Sequence, residues 1–246
     1  MWGHVAGQSP DPPGVLTAPE RLIESLNEAD ADRLCHDSQA LTRIAWFGAA
    51  SPCLVPFLAR HPRLLVRLFL EGEVKSGYLG PQGPGGAETF LAECKASQDP
   101  EALARHVAVF RNSHMVRLYS QEVLGLRPPP EVWAEWSEVA ALCIQGAMGG
   151  VKGLLPGKEK GVRVAVMGMG KLGGRELSYK SDLDIMFVYD DARSWRPPKG
   201  VVVSEQLTRV AQRCLSRMAM PMREGPGCAV AAVRDPRTID GVASSV

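Results

Sequence analysis

The sequence predicts an α+β protein, a helical N-terminal region followed by a small sheet with flanking helices. Three observations predict it. Between residues 19 and 150, apolar side chains recur at steps of three and four, the helical period. Two β-branched or apolar runs, near residues 162 and 185, are separated by a glycine-rich turn. Of the 246 residues, 45% are hydrophobic, enough for a sizeable core and too many for wholesale disorder.

Taken in order, residues 1–18 are rich in Pro, Gly and Ser and are expected to be a flexible lead-in. Ser51-Pro52 and Asp99-Pro100 each set a capping residue before a proline suited to a first helical turn. Leu103, Val107, Phe110, His114 and Leu118 mark one face of a long helix, with Gly125 as its stop and Pro128-Pro129-Pro130 as a stiff connector. Trp133, Trp136, Val139, Cys143 and Ala147 continue the period, and their large side chains read as core. Residues 72–87 hold too many breakers for anything but a loop.

At Lys152 the character changes. Val162–Met167 reads as a buried strand, and Asp182–Tyr189 (DLDIMFVY) as a second strand buried on both faces. Ser204–Met218 follows as a helix with Leu207, Val210, Ala211, Cys214, Leu215 and Met218 on one side. Its Arg209, Arg213 and Arg217 ridge reads as a solvated face. A last apolar run, Cys228–Val233, precedes a weakly patterned tail. The expected domains are thus a lead-in (1–18), a helical region (19–150) and a catalytic domain (151–246).

Composition excludes several classes. With 28 Lys+Arg against 27 Asp+Glu, the net charge of +1 argues against a polybasic binder, and no nucleic acid partner is expected. No stretch approaches the roughly 18–20 apolar residues of a membrane span, so no membrane association is expected. The first residues, MWGHVAGQSPDPPG, lack the basic and apolar regions of a signal peptide. The six cysteines include no CxxC pair and read as reduced thiols, mostly in the core, which points to the cytoplasm.

The chemistry concentrates in VMGMGKLGGRELSYKSDLDIMFVYDD, residues 166–191. Gly168-Met-Gly170-Lys-Leu-Gly173 matches the dinucleotide-binding GxGxxG, with Asp190 as a candidate ribose acid. That fold needs a crossover of at least ten to twelve residues, more than the stretch from Gly173 to Asp182 supplies. The stronger reading joins Gly173-Gly174 to Asp182-Leu183-Asp184. Residues two apart on a strand project from one face, so the two carboxylates stand side by side, an arrangement that a hard divalent cation such as Mg²⁺ stabilises. Gly173-Gly174 is expected to open a short helix whose backbone N–H groups approach a phosphate, with Lys171 as a nearby cation.

These residues resemble the nucleotidyltransferase superfamily that includes DNA polymerase β. More narrowly, GMGKLGGRELSYKSDLDIMFVYD is similar to the signature of glutamine synthetase adenylyltransferases, bifunctional enzymes that add and remove AMP on a tyrosine of glutamine synthetase. Weaker similarity covers ASPCLVPFLARHPRLL and VFRNSHMVRLYSQEVLGL, so the resemblance extends over most of residues 40–230. It implies an incomplete polymerase-β-like mixed sheet, Mg²⁺ on catalytic Asp182 and Asp184, and nucleotide binding by Gly173, Gly174, Lys171 and Ser181. The implied partners are ATP, AMP or phosphate, glutamine synthetase and a PII-type regulator. The Gly-Met-Gly-Lys form favours the adenylyl-removing unit. One departure stands out: where the family carries a third carboxylate after Gly-Tyr-Ala-Val, this chain has Gly227-Cys228-Ala229-Val230-Ala231, with Asp235 the next acid. The expectation is a truncated or frame-shifted unit with impaired activity. The alternatives are a non-catalytic module that binds nucleotide or glutamine synthetase, and a Rossmann oxidoreductase.

Overall fold

The structure, a computed structural model, describes residues 12–75, 86–150, 162–191, 203–220, 222 and 232–234. The chain divides into two compact units. One comprises Met1–Leu79 and Asn112–Trp136, the other Gly80–Arg111 and Ser137–Val246.

The first unit is helical. Helices α1 (Pro12–Glu24), α2 (Glu28–His36) and α3 (Ser38–Ala50) are followed by short helical turns through Lys75, among them α4 (Val55–Ala59) and α5 (Pro62–Leu65). Side chains fix the starts: Asn27 accepts from the Asp30 N–H, and Asp37 accepts from the N–H groups of Gln39 and Ala40. Leu22, Leu34, Ile44, Phe47, Leu58 and Phe69 form a fully enclosed core. α1 corrects the expected lead-in, because helix already begins at Pro12. Prolines at 12 and 13 suit a first turn whose N–H groups have no helical partner, and Ala18 and Leu22 anchor the helix in the core. Residues 1–11 of the lead-in lie outside the described residues. Ser51 also departs from expectation: its hydroxyl lies 3.6 Å from the Cys53 sulfur and caps nothing.

Two long helices, α7 (Pro100–Val123) and α8 (Pro129–Gly149), contribute to both units; α6 (Ala87–Ala96) precedes them. Asp99 caps α7 through the N–H groups of Glu101 and Ala102. The expected face of Leu103, Val107, Phe110, His114 and Leu118 is buried throughout. Gly125 stops the helix as expected. At φ +64 it lets the Leu126 N–H reach the Gln121 carbonyl at 2.8 Å, and its own N–H reach Glu122. Within the first unit the Tyr119 hydroxyl donates to the Ala50 carbonyl at 2.7 Å, and Gln121 Nε2 to the Val74 carbonyl at 2.8 Å.

The first unit also buries charge. Arg117 and Glu135 are 8% and 6% exposed and ion-paired; Arg127 pairs with the other oxygen of Glu135. Arg127 further donates to Gln121 Oε1 at 3.2 Å, and Arg117 lies 3.4 Å from His114 Nδ1. One carboxylate between two guanidiniums satisfies the hydrogen-bonding demand that burial would otherwise penalise.

In the second unit, the Phe90 and Phe110 rings stack at 4.0 Å. The sheet contains β1 (Val162–Gly168), β2 (Asp184–Asp191) and β3 (Ala232–Arg234) in that spatial order. β1 and β2 are antiparallel with Gly168 opposite Ile185; β2 and β3 are parallel with Asp184 opposite Ala232. α9 (Gly170–Gly173) follows β1, and α10 (Val203–Ala219) follows β2. The fold class is α+β. Two strand readings are corrected. Ala165 and Met167 pair with Val188 and Met186 on the open face of the sheet and are exposed, while Val164 and Val166 on the other face are half-buried. β2 is fully buried on one face only, with Leu183, Ile185 and Phe187 inside and Met186 and Val188 partly open. On α10, Val210, Ala211, Cys214 and Met218 are buried and Arg209 and Arg213 exposed. Arg217 leaves the solvated ridge, donating to the Gly150 carbonyl at 3.3 Å, and partial burial pulls its pKa down.

Among the described cysteines, Cys94, Cys143 and Cys214 are buried and Cys35 and Cys53 exposed; all five are free thiols. No single helix among the described residues is long and apolar enough to cross a membrane.

Candidate functional site

The carboxylates are set by strand alternation. Exposure alternates from Asp182 through Leu183, Asp184 and Ile185 to Met186, so Asp182 and Asp184 share the open face while Leu183 and Ile185 go inward. Strand pairing itself starts only at Asp184, two residues later than expected. β1 ends at Gly168, and the chain leaves the sheet there to form α9, so Asp182 has no ladder partner on β1. Among the described residues, neither carboxylate has a hydrogen-bond or ion-pair partner. The two acids thus stand open on one face, and among the described residues no third His, Cys, Asp or Glu joins them in a cluster.

The turn after β1 lies against them. The Met169 N–H donates to the Asp184 carbonyl at 2.8 Å. Lys171 Nζ is 3.5 Å from Ser181 Oγ, and Ser181 Oγ is 2.6 Å from Ser178 Oγ. Lys171 and Ser181 are thereby brought together immediately before Asp182.

The diglycine behaves differently from expectation. Gly173 and Gly174 close α9 instead of opening it: the Gly173 N–H donates to Met169 O at 3.1 Å and the Gly174 N–H to Gly170 O at 2.9 Å. Both amides are therefore spent inside the turn. Gly173 is required there by crowding, since a Cβ on it would lie 2.6 Å from the Gly168 carbonyl oxygen. The residue after the pair, Arg175, takes the left-handed conformation at φ 58 that such helix ends usually reserve for glycine. Its guanidinium pairs with Glu138, and the Glu176 N–H closes the turn on Lys171 O at 3.0 Å. Close by, the Leu177 N–H donates to Ser137 Oγ at 3.1 Å.

The opposite sheet face is apolar. Val164, Val166 and Gly168 there line a groove of about 760 Å³ with Ile144, Met148 and Leu172. The carboxylates are not in it. The antiparallel pairing of β1 with β2 and the four-residue α9 also remove the Rossmann alternative, which requires a full helix crossing between parallel strands.

Sequence reasoning missed three contributors. Gly170 was read only as part of GxGxxG, although its position before Lys171 put it in the turn. Ser178 carried no signal. Arg175 carried none either, because nothing in a sequence marks a non-glycine residue for positive φ.

Fold and site together define a class: an α+β protein presenting two carboxylates, with a lysine and a serine nearby, at the open face of a small mixed sheet. The sequence model of the glutamate-ammonia ligase adenylyltransferase family matches residues 41–230, and the chain belongs to that family. It is similar to bifunctional glutamine synthetase adenylyltransferase/adenylyl-removing enzymes from several bacteria. That of Mycobacterium tuberculosis is 29% identical over 222 residues, 89% of this chain and 22% of the relative. Those of Chromobacterium violaceum and Thioalkalivibrio sulfidiphilus are 32% and 30% identical over 76% and 83% of this chain, or 21% and 22% of each relative. The chain thus spans about a fifth of the length of the curated relatives it matches.

Proposed function

We propose that this chain carries an adenylyl-transfer site of the adenylyl-removing type, acting on a tyrosine of glutamine synthetase in the cytoplasm and open to a PII-type regulator. Residues 19–150 would form a helical region before a catalytic domain, 151–246, with an incomplete polymerase-β-like sheet. The observation that carries the reading is the pair of exposed, unpartnered carboxylates, Asp182 and Asp184, in a chain of this family.

Asp182 and Asp184 would hold Mg²⁺. The cation, when bound, supplies charge neutralisation at the phosphoryl oxygens. Lys171, held near Ser181, adds a cation for the phosphates; Ser181 offers a hydroxyl on the same side. Gly173 and Gly174 are exposed and would contribute clearance, an approach unobstructed by side chains, because their amides are already bonded.

Phosphorolysis fits the residues present. An oxygen of hydrogenphosphate bonds to the adenylyl phosphorus, the bond to the tyrosine oxygen breaks, and the leaving phenolate takes the proton that the phosphate brought. ADP and free tyrosine result. The reverse attack by a tyrosine hydroxyl needs a protein base. Among the described residues β3 sets Ala232, not an acid, opposite Asp184; Ala231 before it and Asp235, the next acid in the sequence, lie outside the described residues. That absence favours removal over attachment. It also supports the second reading, a module that binds nucleotide or glutamine synthetase without turnover.

Incubating the purified chain with adenylylated glutamine synthetase, Mg²⁺ and phosphate tests this directly. ADP release that disappears in Asp184→Asn is the expected result. Nucleotide binding without release would select the non-catalytic reading, and neither binding nor release would overturn both.

A further inference from the structure

The middle glycine of Gly168-Met-Gly170-Lys-Leu-Gly173 has no part in the chemistry above, yet of the three it is the one at positive φ, and the one that faces a candidate site side chain. Gly170 sits at φ +50, and a Cβ built on it would lie 3.0 Å from Asp184 Oδ2 and 3.9 Å from Asp184 Cγ. The other two glycines serve the turn's own packing: a Cβ on Gly168 would meet Leu172 Cγ at 2.9 Å, and one on Gly173 the Gly168 carbonyl. The backbone of Asp184 is tied to the same turn through the Met169 N–H.

We propose that Gly170 is a positioning residue for Asp184, its bare backbone forming the wall against which that carboxylate rests. Two separate demands meet there. The positive φ is tolerated by Asn as well as Gly, whereas a Cβ would press on Asp184 Oδ2 at 3.0 Å, so that carboxylate would have to give by a few tenths of an ångström. Gly170→Asn therefore keeps the backbone conformation and crowds Asp184 Oδ2, displacing that carboxylate from its resting place. The role of Asp184 as a metal ligand rests on the proposed function; the contact between residues 170 and 184 does not.

The experiment is a thermal-unfolding cycle on the full chain with Gly170→Asn, Asp184→Ala and the double variant, joined to titration with Mn²⁺ alone. Gly170→Asn is expected to lower Tm by several degrees, and adding Asp184→Ala to restore at least half of that loss. Mn²⁺ affinity is expected to fall at least tenfold in Gly170→Asn, while Gly168→Ala, which crowds only Leu172, lowers Tm with Mn²⁺ affinity held within twofold. An equal Tm loss with and without the Asp184 carboxylate would overturn the proposal. So would a double variant that fails to fold alongside Gly170→Asn, while folding of the double variant alone would support it. If wild type binds no Mn²⁺, the metal reading fails, and the thermal cycle still decides the role of Gly170.

Discussion

Glu135 in the first unit and the Asp182–Asp184 pair in the second are carboxylates under opposite management. Glu135 is 6% exposed and held between Arg117 and Arg127. Asp182 and Asp184 are exposed, adjacent and without a partner among the described residues. A buried acid with both oxygens satisfied is committed to holding helices α7 and α8 together. Two solvated carboxylates at the start of β2 contribute little to the fold, which leaves both open to a ligand. Charge count cannot separate the cases; partnering does.

The comparison can be broken by exchanging the roles. Asp184→Asn should lower adenylyl-group turnover by about 10³-fold or more, the scale of losing a charge-stabilising group at a reacting centre, while urea unfolding moves by only about 0.5 kcal/mol. Glu135→Ala should do the reverse: the buried Arg117 loses its carboxylate and the half-buried Arg127 keeps only that of Glu131, at a cost of about 3–5 kcal/mol in the same measurement.

A smaller effect sharpens the burial side. Burial, with the Glu93 charge beside it, pushes the Cys94 thiol up to about 12 from 9.0. The folded state then keeps a proton that the unfolded state loses. Stability from this group is intact below pH 9 and declines as pH rises towards 12, at up to about 1.4 kcal/mol per pH unit. Cys94→Ala should flatten that part of the stability–pH curve. In native protein at pH 8, a thiol reagent should label Cys35 and Cys53 while sparing Cys94, Cys143 and Cys214. The smallest effect is expected at Gly125. Nothing lies within 4 Å of an added Cβ there, so Gly125→Ala should cost about 1 kcal/mol through φ +64 alone, and Gly125→Asn less.

Periodic features were legible in the sequence. The Leu103–Leu118 face, the Gly125 stop and the shared face of Asp182 and Asp184 follow from helical and strand repeats. Features set by neighbours were not. β-branched Val162–Met167 reads as a buried strand, yet one face of the sheet is open and exposes Ala165 and Met167. Arg117 and Glu135 look like ordinary surface charges on helices, and Arg127 like one in the connector between them, because only tertiary contacts bring the three together. The diglycine predicted a bend, and the bend is there. Its polarity was reversed, since hydrogen bonds to Met169 and Gly170 make it the end of α9.

On the proposed function, Asp182 and Asp184 act together to bind a metal-complexed nucleotide. Calorimetric titration of ATP into the chain, with and without Mg²⁺, tests it most directly. Binding that requires Mg²⁺, and that weakens at least tenfold in Asp182→Asn/Asp184→Asn while the unfolding midpoint holds, is the predicted result. ATP binding of equal strength in the double variant, or without the metal, would contradict it.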